Sequence, residues 1–202
     1  MSCSVPTAPA NVLVLCLGND IRSDDGVGWE VARVLTRVAD TFDAPTDNGA
    51  EGNDAEARIG FARPKPLPPI DDEIRHFEPR IPGVLVRRSA LSGFYLLDEL
   101  IGFDRVIVVD AVKTGLHPPG TVLSFPFEAL GTDAGPSPHA VGLPSVVRLG
   151  RQSGVILPTD IHIVAIEVDD IESIAEGLTA PVRAAVPRAV AEVRSLVAVG
   201  LP

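Results

Sequence analysis

The chain has 202 residues, 46% of them hydrophobic, and a formal net charge of -10. Length and apolar content suffice for one sizeable core, and the negative charge argues against nucleic-acid binding, which needs a basic surface to displace counterions. The longest apolar runs are too short to span a bilayer, and the N-terminus lacks a basic segment followed by an apolar stretch, so neither a membrane anchor nor a signal peptide is expected.

Asn11 to Gly18 reads NVLVLCLG, a nearly continuous apolar run ending in glycine. Such a run marks a strand buried on both faces. Cys16 falls inside it and is expected to be core filler. Cys3 lies in the N-terminal tail, so a disulfide between them is not expected and a reducing, cytoplasmic setting fits. The next segment, NDIRSDDG, is polar and turn-rich. Val27, Val31, Val34, Leu35 and Val38 then recur at helical spacing, predicting an amphipathic helix.

Residues 41–82 differ from the rest. Acids crowd the first part, and Pro64-Lys65-Pro66-Leu67-Pro68-Pro69 follows. Apolar periodicity vanishes, which predicts an irregular insertion into a single domain spanning 1–202, with no second core.

Order returns with Val84-Leu85-Val86, read as a strand. Leu91 to Ile101 places Leu91, Tyr95, Leu96 and Leu100 on one helical face, with Gly102 as a stop. Arg105 to Asp110 (RVIVVD) is a second doubly buried strand, ending in a carboxylate. Thr121 to Phe127 is a strand that Pro126 confines to an edge or ends early. Leu143 to Arg151 reads as a helix and Ile161 to Ile166 as a strand. Thr179 to Val199 closes the chain as a helix that tolerates Pro181 in its first turn and that Pro187 is expected to kink or split. Strands alternating with helices predict an α/β fold: three layers, α/β/α, around a mainly parallel twisted sheet of about five strands.

In such sheets ligands bind beyond the carboxyl ends of the strands. Two loops at those ends carry acids: Asp20, Asp24 and Asp25 after the first strand, and Asp110 after the central one. Ser137-Pro138-His139 adds a histidine in a turn before a helix. Two carboxylates and an imidazole form a borderline-hard donor set suited to nickel or zinc. Each residue also has a plainer role. Acids before a helix serve capping and the dipole, Asp110 fits a turn, and His139 fits a surface position. His162 is expected on one face of its strand and His76 in the insertion. His117 sits in a turn-rich loop near the active edge, and Glu167 at that edge is a candidate supporting group.

A dinucleotide site is disfavoured. Gly18-Asn19-Asp20-Ile21 is not G-x-G-x-x-G, and the acids that follow would repel a pyrophosphate. No GxxxxGK[ST] loop, G-x-S-x-G elbow, HExxH helix or paired-cysteine motif occurs.

Taken together in order, the motifs are recognisable. NVLVLCLGNDIRSDDGVGWEVARVL resembles the opening of hydrogenase maturation proteases. RVIVVDAV with Pro119-Gly120-Thr121 resembles their central strand, its acid and a Pro-Gly turn. His139 with Gly142-Leu143 is similar to their His-x-x-Gly-Leu element. The resemblance implies a site of Asp25, Asp110 and His139 that is both catalytic and metal-binding. It implies an endopeptidase that trims a C-terminal extension from the nickel-loaded large-subunit precursor of hydrogenase, with nickel supplied by the precursor. The glycine-rich element before the second helix is replaced here by Ser89-Ala90-Leu91-Ser92-Gly93. That departure keeps open a second reading, a non-enzymatic metal- or precursor-binding paralogue. A nucleotide-binding α/β protein is the third and weakest.

Overall fold

The structure is a computed structural model and describes residues 11–36, the backbone of 75–76, and residues 81–130 and 143–199. The resemblance's histidine, His139, lies outside the described residues, as do Cys3 and most of the 41–82 segment.

Among the described residues six strands form one sheet: β1 (Val12–Leu17), β2 (Arg75–His76), β3 (Val84–Ser89), β4 (Arg105–Val112), β5 (Val122–Pro126) and β6 (Asp160–Glu167). Their order is β2-β3-β1-β4-β6-β5. The four central strands run parallel, and the two edge strands, β2 and β5, are antiparallel to their neighbours. Five strands match the expected number. The sixth is a two-residue piece, so the insertion is not irregular throughout: Arg75 and His76 pair with Val86 and Leu85.

The side-chain alternation of each strand fills two separate cores. Val12, Val14 and Cys16 pack with α1 (Val27–Thr36) and α4 (Ala180–Val199) on one face. Leu13, Leu15 and Leu17 pack with α2 (Leu96–Leu100) and α3 (Leu143–Gln152) on the other. Every residue of β1 is buried, which is why its sequence shows no polar alternation. The Cys16 thiol is fully buried, and burial drives its pKa far upward.

Two expectations need correction. The helix read over Leu91 to Ile101 is a short 3-10 turn at Gly93–Tyr95 followed by α2 alone. Gly93 takes a positive φ of 59°, which starts the helix late, and Leu91 and Tyr95 are exposed rather than core-facing. Of the two effects expected of Pro187, a kink or a split, the split does not occur: one helix runs from Ala180 to Val199. The proline sits on the exposed side, where water can satisfy the carbonyl that loses its partner. Pro126 ends β5 at the sheet edge, as its missing N–H requires.

Gly28, in the first turn of α1, sets how closely that helix meets the sheet. A β-carbon there would overlap the Leu17 carbonyl oxygen and press on that of Val109. Gly28→Ala is predicted to destabilise the protein by about 3 kcal/mol, the upper range for overpacking, measured by urea unfolding; an unchanged midpoint would contradict this close approach.

On β6, His162 is partly buried and its Nε2 lies 3.0 Å from Ser124 Oγ. Burial, aided by the Arg105 guanidinium, lowers its pKa below the ordinary value. The fold therefore favours the neutral ring. Its contribution is complete above about pH 6.5 and is lost as pH falls, because the unfolded chain takes up the proton first. His162→Gln should flatten the loss of thermal stability between about pH 6.5 and 5; an unchanged slope would contradict it.

Candidate active site

The site grows from the end of β1. After Leu17 the chain turns at Gly18, whose φ of 146° is open to glycine and whose β-carbon would collide with the Asp25 carbonyl oxygen. The loop then returns on itself. Arg22 N–H donates to Asn19 O at 3.1 Å and Asp25 N–H to Arg22 O at 3.0 Å. Ser23, with φ 48°, accepts a left-handed backbone to begin the 3-10 turn Ser23–Gly26 that leads into α1. This folding-back delivers Asp25 to the carboxyl end of β1, fully buried at 0% exposure.

Asp110 arrives by sheet pairing. β1 and β4 run parallel with Cys16 opposite Val109, so Asp110 follows directly at the same carboxyl end. It too is 0% exposed. The 3-10 turn that carries Asp25 packs against β4, which makes the two carboxylates products of adjoining elements. Asp110 lines a cavity of about 180 Å³. Asp25 is not among that cavity's described lining. Its neighbours Ser23 and Gly26 line a second cavity, of about 200 Å³, with Trp29 and Arg88. Arg88 stacks over the Trp29 ring, 5.1 Å from its centroid.

The segment that carries His139 joins Leu130 to Leu143. Leu130 lines the Asp110 cavity and Leu143 is buried in the core on the same sheet face. Among the described residues, no group of three His, Cys, Asp or Glu could hold a metal ion.

Neighbouring acids have other work. The Asp24 carboxylate accepts Thr179 N–H at 2.7 Å and Thr179 Oγ1–H at 3.0 Å. Thr179 itself accepts the first helical bond, from Arg183 N–H, so Asp24 clamps the start of α4 rather than capping α1. Glu167, buried at 1% exposure, accepts Thr114 N–H at 2.8 Å, Thr114 Oγ1–H at 2.6 Å and Gly115 N–H at 2.7 Å. It fixes the loop that follows β4 and presents His117, which is exposed and lines the Asp110 cavity. Glu99 is buried and pairs with Arg87, with Ser89 Oγ at 3.4 Å. Glu167 was expected as a supporting group at this edge, without its partners; the Asp24 clamp and the Arg87–Glu99 pair were not expected.

A mainly parallel sheet covered by helices on both faces, with two buried acids near the carboxyl ends of its middle strands, is an α/β fold with its candidate site at the edge where such folds bind ligands. A family model described as hydrogenase maturation protease matches residues 90–196, and the chain belongs to that family of peptidases. Solved structures share the fold. The hydrogenase maturating endopeptidase HybD of E. coli is 20% identical, with a TM-score of 0.65 over 95% of this chain and 94% of that one. The [NiFe] hydrogenase maturation protease HybD of Thermococcus kodakarensis is 21% identical, with a TM-score of 0.57 over 92% and 98%. A hydrogenase 2 maturation peptidase from a Thaumarchaeota archaeon is 22% identical, with a TM-score of 0.52 over 93% and 98%. No curated protein sequence matches the chain. No helix among the described residues is long and apolar enough to cross a membrane.

Removing the Asp24 clamp should cost stability, since two hydrogen bonds to a buried carboxylate are lost. Asp24→Ala is predicted to destabilise by about 2–3 kcal/mol, with Thr179→Ala costing less, read from thermal unfolding. An Asp24→Ala protein as stable as the parent would refute the clamp.

Proposed function

We propose that the chain is an endopeptidase that removes a C-terminal extension from a nickel-loaded hydrogenase large-subunit precursor, with Asp25, Asp110 and His139 engaging the metal. The observation that carries this is the burial of Asp25 and Asp110 on adjoining elements at one end of the sheet. Carboxylates held in a low-dielectric interior attract a divalent cation far more strongly than carboxylates in water. The nickel belongs to the substrate and arrives with it. Its chemistry at the scissile bond is that of a Lewis acid, polarising the carbonyl or lowering the pKa of a bound water.

The same electrostatics make metal loading a checkpoint. A nickel-free precursor offers the two carboxylates no cation and is held poorly; a loaded one does. Irreversible cleavage is thereby reserved for the finished metal centre. The protein acts in the cytoplasm on this reading, in keeping with a buried free thiol at Cys16.

A second reading is favoured by the 89–95 region. The family's glycine-rich element is absent there, and Phe94 and Tyr95 are 63% and 68% exposed. Such a surface fits a paralogue that grips the precursor without cutting it.

One assay separates the readings. Nickel-loaded and nickel-free precursors are incubated with the protein, and the large subunit is sized by mass spectrometry. Shortening of the loaded form alone is expected. Asp25→Asn and Asp110→Asn should each slow it at least about 100-fold, the scale of losing one charge-stabilising group, while remaining folded. Equal cleavage of both precursors, or full activity in either variant, would overturn the proposal. Binding without shortening would establish the second reading.

A further inference from the structure

The cavity beside Asp110 has a construction that metal engagement does not use. Its floor is apolar and comes from three strands: Val108 and Val112 of β4, Leu123 and Phe125 of β5, Ile163 and Ala165 of β6. Asp110 is the one carboxylate among its described lining residues. At about 180 Å³ it falls below the roughly 300–1,000 Å³ of sites that take whole small molecules or cofactors. It is the size for part of a molecule, such as one side chain.

Its rim is held in place. The loop after β4 is pinned by the three hydrogen bonds to Glu167, and it sets Leu116 and His117 at the mouth. Leu116 is 81% exposed. A large apolar side chain held in water on a fixed loop, above an apolar floor, is a contact surface awaiting an occupant. A peptide whose scissile bond is presented to Asp110 must run over this mouth.

We propose that this cavity is a specificity subsite of the peptidase, taking an apolar side chain from a residue flanking the scissile bond, with Ala165 and Ile163 limiting its depth and Leu116 closing over it. The proposal rests on the endopeptidase reading above. It assigns to β5, β6 and the Glu167-pinned loop a role in choosing the cleaved bond. Apolar pockets discriminate by filling: each added or missing methylene changes kcat/KM by roughly 10–200-fold. A charged side chain has no counterpart on this floor and is excluded by desolvation.

The test uses nickel-loaded precursor in which each residue flanking the cleavage point is changed in turn to Ala, Leu or Asp. At one of the two positions the parent protein should cleave the Leu form at least about 10-fold faster than Ala in kcat/KM, and Asp slowest. Ala165→Leu fills the floor and should reverse the Leu-over-Ala order. Because a buried substitution can unfold the chain, Leu116→Asp at the exposed rim serves as the second variant. It should raise KM for the Leu form at least about 10-fold more than for the Ala form. Cleavage indifferent to both flanking residues, or a preference unmoved in the two variants, overturns the subsite and leaves the peptidase reading intact. A parent protein that cleaves no precursor removes both.

Discussion

The parallel pairing of β1 with β4 is the constraint from which the site follows. It sets Cys16 against Val109 and so fixes where the carboxyl ends of the two strands lie. Everything at that edge is then a matter of what each chain does on leaving the sheet. β1 leaves through a loop that must fold back sharply, which needs Gly18 to lie against the Asp25 backbone and Gly28 to let α1 approach Leu17 and Val109. β4 continues for two residues beyond Asp110 and then enters a loop held by Glu167. Asp110 is placed by the sheet register and Asp25 by the folded-back loop that starts from it, and two apolar cores, one on each face, support both.

This division of labour explains why four acids at one edge have different fates. Asp24 and Glu167 are consumed in clamping: one holds the start of α4 to the first loop, the other holds the loop after β4. Each is buried with backbone N–H donors supplied at close range, the arrangement that makes a buried carboxylate tolerable. Asp25 and Asp110 are buried as deeply and sit where the proposed chemistry needs negative charge. The clamps make the edge rigid, and a rigid edge is the condition for holding two carboxylates in a fixed relation to an incoming ion.

The doubly buried strands were plain in the sequence because NVLVLCLG and RVIVVD lack polar alternation, and that alone is strong evidence for a parallel sheet covered on both sides. The acids at their ends were legible for the same reason. Other elements were not. The late start of α2 depends on the positive φ of Gly93, which a helical count of Leu91, Tyr95 and Leu96 cannot reveal. The continuity of α4 through Pro187 depends on which side of the helix faces solvent. The Asp24–Thr179 clamp joins residues 155 apart, and Asp24 on its own reads as an ordinary cap for the helix next to it. His139 was picked out as a turn histidine before a helix, and its proposed role came from the family resemblance, since one histidine in a proline-rich turn has no local signature of metal binding.

Asp110 and Asp25 are proposed to meet the metal carried by the precursor. Nickel K-edge X-ray absorption of loaded precursor, alone and frozen in complex with the protein, reads that contact at the metal itself. Complex formation is expected to add an oxygen or nitrogen donor shell to the nickel, and the shell is expected to diminish when the complex is made with Asp110→Asn. A nickel spectrum identical in free and bound precursor would contradict it.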